Sequence, residues 1–567
     1  MERLFPVYTQ ETECHDCYKC VRQCPVKAIR VENERAKVAP ERCVACGRCV
    51  VICPSGAKRV RDDLGRAKRL LLRPGAVCAS VAPSWAATHP EWSQGQLIAA
   101  LRRLGFEYVS ETALGAQELS AALANELGGG KPGLHISSAC PAVVDLIRKH
   151  IPGLAGAITA AASPALTHCR LLKEKYGEDA TVLFIGPCAA KKTEADENPS
   201  LMSLALTFAE LDRWLAERNI NPALLSPRED DVLALAEAAE GVLYPLEGGM
   251  IETMRHYGFP DSLQARSMSG LRRLKISLEH IDPGAFGQTL FLEGLACDGG
   301  CVNGPCSTVK PSPLEGSMAV RSRARLGPRG PRPGLWVERS YIPRAGPRAK
   351  WSEKDILGAL ARVGKHKPED ELNCGGCGYD TCRGLAQALL AGDAETSMCA
   401  SYMRGIAQRT ANALFRCMPS GVVIVGTDLR IVEANAAFVG IFGDECAKLM
   451  ADRPGLAGVQ VEDILPCGNL LRAALRSGKD IRRERLKMRG LLLDLVIFVI
   501  EEYKTVGAIV ADVTKNELRR DQIARRAREV IARNISTVQE IASRLGEHMA
   551  DTEILLNSIA EGYGDAG

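Results

Sequence analysis

Cys14-x2-Cys17-x2-Cys20-x3-Cys24-Pro25 and Cys43-x2-Cys46-x2-Cys49-x3-Cys53-Pro54 are two copies of one thiolate run. Thiols so close in sequence rarely pair with each other, and they suit a metal cluster in a reducing compartment. In such a run three thiolates wrap one corner of a 4Fe–4S cubane and the fourth crosses to a second cubane. The expected sets are therefore Cys14, Cys17 and Cys20 with Cys53, and Cys43, Cys46 and Cys49 with Cys24. A zinc ribbon is a poor rival for two complete runs, each closed by proline. A third set, Cys374-x2-Cys377-x4-Cys382-x16-Cys399, begins in the glycine-rich NCGGCGYDTC, where backbone can approach sulfur. Its spacer RGLAQALLAGDAETSM reads as a helix that returns the last cysteine, and zinc is the competing reading for this set. Four further candidates are scattered: Cys140 in SSACPAVVDLIRKHIPGL, Cys188 in FIGPCAAKKTE, and Cys297 and Cys301 in FLEGLACDGGCVNG. Three distant loops must converge for these to share one group.

The elements that would bring them together are legible as pattern. VCASVAP, GLHISSA and ATVLFIGP each read as a buried strand ending in a loop, with amphipathic helical stretches between them. Open α/β sheets place ligand sites beyond such strand ends. The 567 residues suggest three to five domains. The fold class is multidomain α/β and α+β: a cysteine-rich unit at 1–63, an α/β domain at 75–315, a linker at 316–365, a second cysteine unit at 366–402, an α/β domain at 408–513 and a helical segment at 514–567. The linker carries Arg321, Arg323, Arg325, Arg329, Arg332, Arg344 and Arg348 among prolines and glycines, and it reads as a solvated basic connector. In the last segment Ile531, Ile535, Val538, Ala542, Leu545 and Met549 recur by threes and fours, the seam of a coiled coil or helical hairpin. A net charge of +4 does not suggest nucleic acid. Apolar runs such as Leu491 to Ile500, broken by Asp494, fall short of the ~20 residues of a membrane span. The opening MERLFPVYTQ has no apolar stretch, so a cytoplasmic protein is expected.

The two N-terminal runs resemble a bacterial ferredoxin domain, and the 374–399 set resembles a small 4Fe–4S domain of corrinoid proteins and redox sensors. The three scattered loops resemble the signature motifs of iron-only hydrogenases, roughly TSCCPxW, MPCxxKxxE and ExMxCxxGCxxGGG. That resemblance covers about 76–315 and implies that Cys140, Cys188, Cys297 and Cys301 bind the cubane of an H-cluster. It implies that Cys301 also bridges to a diiron subsite with carbon monoxide, cyanide and azadithiolate ligands. Lys191, in PCAAKK, is similar to the lysine that hydrogen-bonds one cyanide, and Ala82, Pro83 and Ser84 to the segment that cradles the other. The departures are informative. Ala139 replaces the proton-relay cysteine, and a methyl group carries no proton. Gly186 and Leu295 stand where the family has methionines, Ala122 and Leu123 where it has proton-path glutamates, and Glu194 is kept.

These losses, with the C-terminal domain, resemble the sensory branch of the family, in which a 4Fe–4S domain and a PAS domain follow. GVVIVGTDLRIVEANAAFVGIFG resembles the start of a PAS fold, and it has no evident haem or flavin ligand. Cys306 in VNGPCST is read as a buried inert thiol, Cys78, Cys169, Cys417, Cys446 and Cys467 as core residues, and His168 as an ordinary helix histidine. The expected function is hydrogen sensing with low-turnover hydrogen oxidation or proton reduction. Four 4Fe–4S clusters pass electrons to a redox partner such as ferredoxin and to the PAS module, and a homodimer or a signalling phosphatase or kinase reads the output. The alternatives are a catalytic hydrogenase subunit and a non-catalytic iron–sulfur electron-transfer or assembly protein without the diiron subsite.

Overall fold

A computed structural model describes residues 4–129, 132–260, 263–282, 286–309, 312–327, 331–344, 346, 350–514 and 520–562. It divides into two compact units, residues 1–403 and 404–567.

In the first unit the two thiolate runs are accompanied by two small antiparallel two-stranded sheets. Val7–Thr9 pairs with Lys58–Val60, and Ile29–Glu32 pairs with Arg35–Val38. The larger α/β part has two parallel sheets. Tyr108–Glu111, Val77–Val81, Thr181–Gly186 and Leu204–Thr207 form the first, in that order, and Gln264–Ser269, Thr289–Leu295 and Gly133–Ile136 form the second. Val77–Val81 and Thr181–Gly186 are buried along their whole length, as strands covered on both faces must be. The junction between the ferredoxin-like and α/β parts contains a buried charge network. Lys192 is fully buried, with Asp63 at 3.0 Å and Glu210 at 2.8 Å, and Arg61 bonds Asp63 at 2.9 Å. Such charges persist in an interior only when paired.

The arginine-rich segment is not the solvated connector its composition suggests. Arg323 meets Glu111 at 2.7 Å and stacks on Trp85. Arg332 pairs with Glu118, and Arg339 pairs with Glu197 at 3.0 Å. Its cations strap the segment onto carboxylates of the α/β part, and Arg329 and Arg348 lie outside the described residues. Cys78, Cys169, Cys446 and Cys467 are buried, whereas Cys417 is exposed at the end of the helix Ala400–Cys417 and is not a core residue. His168 is buried, with Ser80 Oγ at 2.8 Å and Ser110 Oγ at 3.0 Å from its two ring nitrogens. Burial lowers its pKa to about 3, so it is neutral.

The second unit has a five-stranded antiparallel sheet in the order Ile431–Ala434, Gly421–Val425, Thr505–Asp512, Leu491–Glu501, Ile481–Met488. Four helices follow the Ile431–Ala434 strand, and they pack with the sheet around Phe438, Leu456, Leu471 and Val510. Asn435 caps the first of them and also accepts the Val422 N–H at 2.8 Å. The helix Arg520–Gly562 leaves Ile531, Ile535, Val538, Leu545 and Met549 more than half exposed. No helix among the described residues is long and apolar enough to cross a membrane.

Candidate metal centres

The two N-terminal runs fold alike. Asp16, Tyr18 and Ala45 take left-handed backbone at φ 51°, 52° and 52°, and Gly47 joins them at 72°. Mixed left- and right-handed residues curl a loop into a concavity suited to an anion. Non-glycine residues in that region cost about 1–2 kcal/mol each, a strain that clusters at functional sites. The helices Lys19–Gln23 and Arg48–Ile52 then carry Cys20 and Cys49, and Cys24 and Cys53 cap their ends. The Ala28 and Ala45 N–H groups donate to Cys24 Sγ at 3.3 Å and Cys43 Sγ at 3.4 Å. Burial pushes the Cys20 thiol up, with Cys14, Cys17 and Cys53 adding to it. Burial does the same for Cys49, and there the added charges are Cys46, Cys43 and Cys24. Cys20 thus has Cys14, Cys17 and Cys53 as neighbours, and Cys49 has Cys43, Cys46 and Cys24.

Cys374, Cys377, Cys382 and Cys399 line one small pocket. Thr381 caps the helix Cys382–Leu390, and the 3-10 turn Thr396–Met398 brings Cys399 back to the loop. The Asn373 N–H donates to Cys382 Sγ at 3.4 Å. Among the described residues no three side chains could hold a single metal ion. Four thiolates at the corners of a cubane stand farther apart than the ligands of one ion.

The scattered cysteines also converge. Cys140 caps the helix Pro141–His150 just past Gly133–Ile136, Cys188 lies between Thr181–Gly186 and the helix Ala190–Glu197, and Cys297 follows Thr289–Leu295. Burial raises the Cys297 thiol well above its usual value, with Cys301, Cys188, Cys140 and Cys46 adding to it. Burial likewise pushes Cys188 up to about 11. Four such thiols ionise together only beside a compensating cation, which an iron–sulfur core supplies. Cys46 among these neighbours puts a ferredoxin-type site next to this one.

A cavity of about 90 Å³ adjoins Cys140, Cys188 and Cys301. Most of its wall is apolar, and Ala82, Pro83, Ser84, Ala139, Lys191 and Glu293 are part of it. Ser84 Oγ is buried with no hydrogen-bond partner among the described residues. Lys191 Nζ donates to Ser163 Oγ at 2.9 Å and pairs with Glu194 at 2.6 Å. An orphaned hydroxyl and a buried ammonium beside three thiols fit an anionic, hydrogen-bond-accepting metal group. A Cβ on Gly186 would fall 2.6 Å from the Phe184 ring, so a larger residue there requires that ring to move. Ala122 and Leu123 are buried on the helix Ala113–Gly128, away from this wall. Cys306 is buried nearby, its N–H donating to Pro187 O at 3.0 Å, and it is not part of the wall.

Glu293 was not singled out from the sequence, although it opens the third motif. It is 1% exposed, and the Met250 and Ile251 N–H groups donate to it at 3.3 Å each. Burial pushes its carboxyl up to about 8 against those donors. It therefore holds a proton near neutrality. Arg339 is the other residue composition concealed. It approaches Glu194 at 3.8 Å and, with Glu197 and Tyr341, lines a polar pocket of about 20 Å³ behind Lys191.

Converging buried thiols, an anion-accepting cavity and ferredoxin-type runs beside them define an electron-transferring iron–sulfur protein. The family model described as "Iron only hydrogenase large subunit, C-terminal domain" matches residues 75–305, and "4Fe-4S dicluster domain" matches 6–54. A further Fe–S cluster model matches 370–401. Residues 75–305 thus form a domain of the iron-only hydrogenase type. The NADP-reducing hydrogenase subunit HndD of Solidesulfovibrio fructosivorans is 26% identical over 361 residues, which is 53% of this chain and 57% of that protein. Iron hydrogenase 1 of Clostridium pasteurianum is 25% identical over 279 residues, 41% of this chain and 49% of its own. The chain thus spans about half the length of the curated relatives it matches. A solved structure of a HydA1 FeFe-hydrogenase variant from Chlamydomonas reinhardtii is 21% identical, covering 50% of this chain and all of that one, with a TM-score of 0.41.

Proposed function

We propose that this protein senses hydrogen at an H-cluster of low turnover and passes the electrons through 4Fe–4S clusters to a PAS module. The observation that carries the reading is the cavity wall itself. It keeps Lys191, Pro83 and Ser84, the residues suited to hold a liganded metal group, and has Ala139 where a proton-relaying thiol would stand. In this reading Cys140, Cys188, Cys297 and Cys301 hold a cubane, and Cys301 also holds a diiron subsite with carbon monoxide, cyanide and azadithiolate ligands. When bound, that subsite supplies the reversible splitting of hydrogen. The other three clusters take the remaining twelve assigned cysteines.

The chain's own residues have separable tasks. Lys191 donates from a position fixed by Ser163 and Glu194, and Ser84 offers a hydroxyl without another partner. Glu293 holds a proton at the cavity wall near neutral pH. Ala139 breaks the first step of a relay, and the apolar Ala122 and Leu123 would break a later one. General acid–base groups contribute about 10²–10⁴ to rate, so these losses favour slow turnover. The sheet order of the second unit and the helices after its second strand support the PAS reading. The wet seam of the terminal helix supports a homodimer, or docking of a signalling phosphatase or kinase.

Infrared spectroscopy of anaerobically matured protein tests the central claim. Iron-bound carbon monoxide and cyanide absorb where protein does not. Their bands, shifting under hydrogen while turnover stays low, are the expected result. Fast turnover would favour the catalytic subunit, and absence of the bands after maturation would favour a non-catalytic scaffold.

A further inference from the structure

The 374–399 site packs directly against the ferredoxin-like part. Gly378, directly after Cys377, lies on the helix Lys19–Gln23 that separates Cys20 from Cys24. A Cβ on Gly378 would fall 2.9 Å from Val21 Cγ1 and 3.1 Å from the Arg22 nitrogen, and its φ is +94°. Lys27 Nζ donates to the Gly378 carbonyl at 2.5 Å. Tyr379 is buried in the same contact, and the charges that reach its hydroxyl include both Cys377 and Cys24.

A second contact fixes the orientation. Asp393 accepts from both terminal nitrogens of Arg42 at 2.7 and 2.8 Å and from Arg30 Nε at 3.1 Å. Its carbonyl accepts the Val31 N–H at 2.9 Å. Arg42 immediately precedes Cys43, so this clamp grips the thiolate run that shares its set with Cys24.

We infer that Gly378 and Asp393 are positioning residues for electron transfer, seating the 374–399 cluster against the ferredoxin-type cluster that Cys24 would serve. The connection is then a branch beside the hydrogenase domain, whose Cys297 and Cys188 already neighbour Cys46. One electron leaves one cubane, which is oxidised, and enters the other, which is reduced, with no bond made or broken. This rests on the cluster assignments above, and the test separates the two.

The test uses the reconstituted full chain. Partial reduction of the wild type should give electron paramagnetic resonance signals broadened by spin coupling between the 374–399 cluster and a ferredoxin-type cluster. Cys399→Ala should lose about four irons and that coupling. If it loses neither, the cluster assignment fails and the contact could not serve electron transfer. Gly378→Ala and Asp393→Ala should each keep all the iron and lose the coupling, and Asp393→Ala should also speed hydrogen exchange of the Val31 amide about tenfold, the scale of a lost charged hydrogen bond. Should Gly378→Ala lose iron, Asp393→Ala, outside the cysteine loop, decides alone. Unchanged coupling in Asp393→Ala with full iron content would overturn the inference.

Discussion

Replacing Glu293 with glutamine removes an ionisable group from the cavity wall while keeping its size, and the amide oxygen can accept from one of the two backbone donors. In the folded protein the carboxyl is lifted from 4.5 to about 8, mainly by burial. Between those values the folded state keeps a proton that the unfolded chain has released. Stability is then full below about pH 4.5, falls as the pH rises to about 8, and is flat beyond. At about 1.36 kcal/mol per unit the whole loss is roughly 5 kcal/mol, an upper bound for so buried a group. In a unit of this size that is on the order of 10 °C in thermal midpoint. Between pH 5 and pH 9 the midpoint of Glu293→Gln should rise relative to the wild type by that order, above a constant offset for the one backbone N–H that the amide cannot accept. A protonated-carboxyl stretch, seen by difference infrared in the wild type and absent from the variant, should titrate near pH 8. The variant should also slow any hydrogen–deuterium exchange activity of the loaded protein, because an amide cannot relay a proton. Parallel melting of the two proteins across this range, or a carboxyl ionising near pH 5, would refute the claim that burial controls Glu293.

Three other outcomes are expected. Complete reconstitution should give about 16 irons in four cubanes, plus two with the diiron subsite; three cubanes or fewer would remove one assigned site. Ala139→Cys should raise turnover, with a gain below the usual 10²–10⁴ of a positioned acid–base group because Ala122 and Leu123 offer the thiol no onward partner. No gain in an enzyme with infrared-verified loading would place the slow step elsewhere. Removing residues 516–567 should turn a dimer into a monomer by light scattering and leave the iron content unchanged. A full-length chain already monomeric, and binding no signalling partner under hydrogen or oxidant, would remove the output from the sensing proposal.

What could be read from the sequence followed the range of each interaction. The ferredoxin-type runs were legible because their ligands lie within eleven residues of each other and each run closes on proline. The site at Cys140, Cys188, Cys297 and Cys301 draws on strand ends in two separate sheets, and only resemblance joined them. Glu293 is a lone carboxylate in an apolar strand, and its raised pKa comes from burial, which composition does not report. The arginines of 316–365 misled for a related reason. Their number was visible, but Glu111, Glu118 and Glu197, which bind them down, lie far away in the chain. Gly378 is the sharpest case. Within NCGGCGYDTC it passes for a residue that lets backbone reach sulfur, yet the space it leaves open is filled by Val21 and Arg22. A side chain there would meet the helix Lys19–Gln23, so the demand for glycine comes from the junction between two cysteine units as well as from its own φ of +94°.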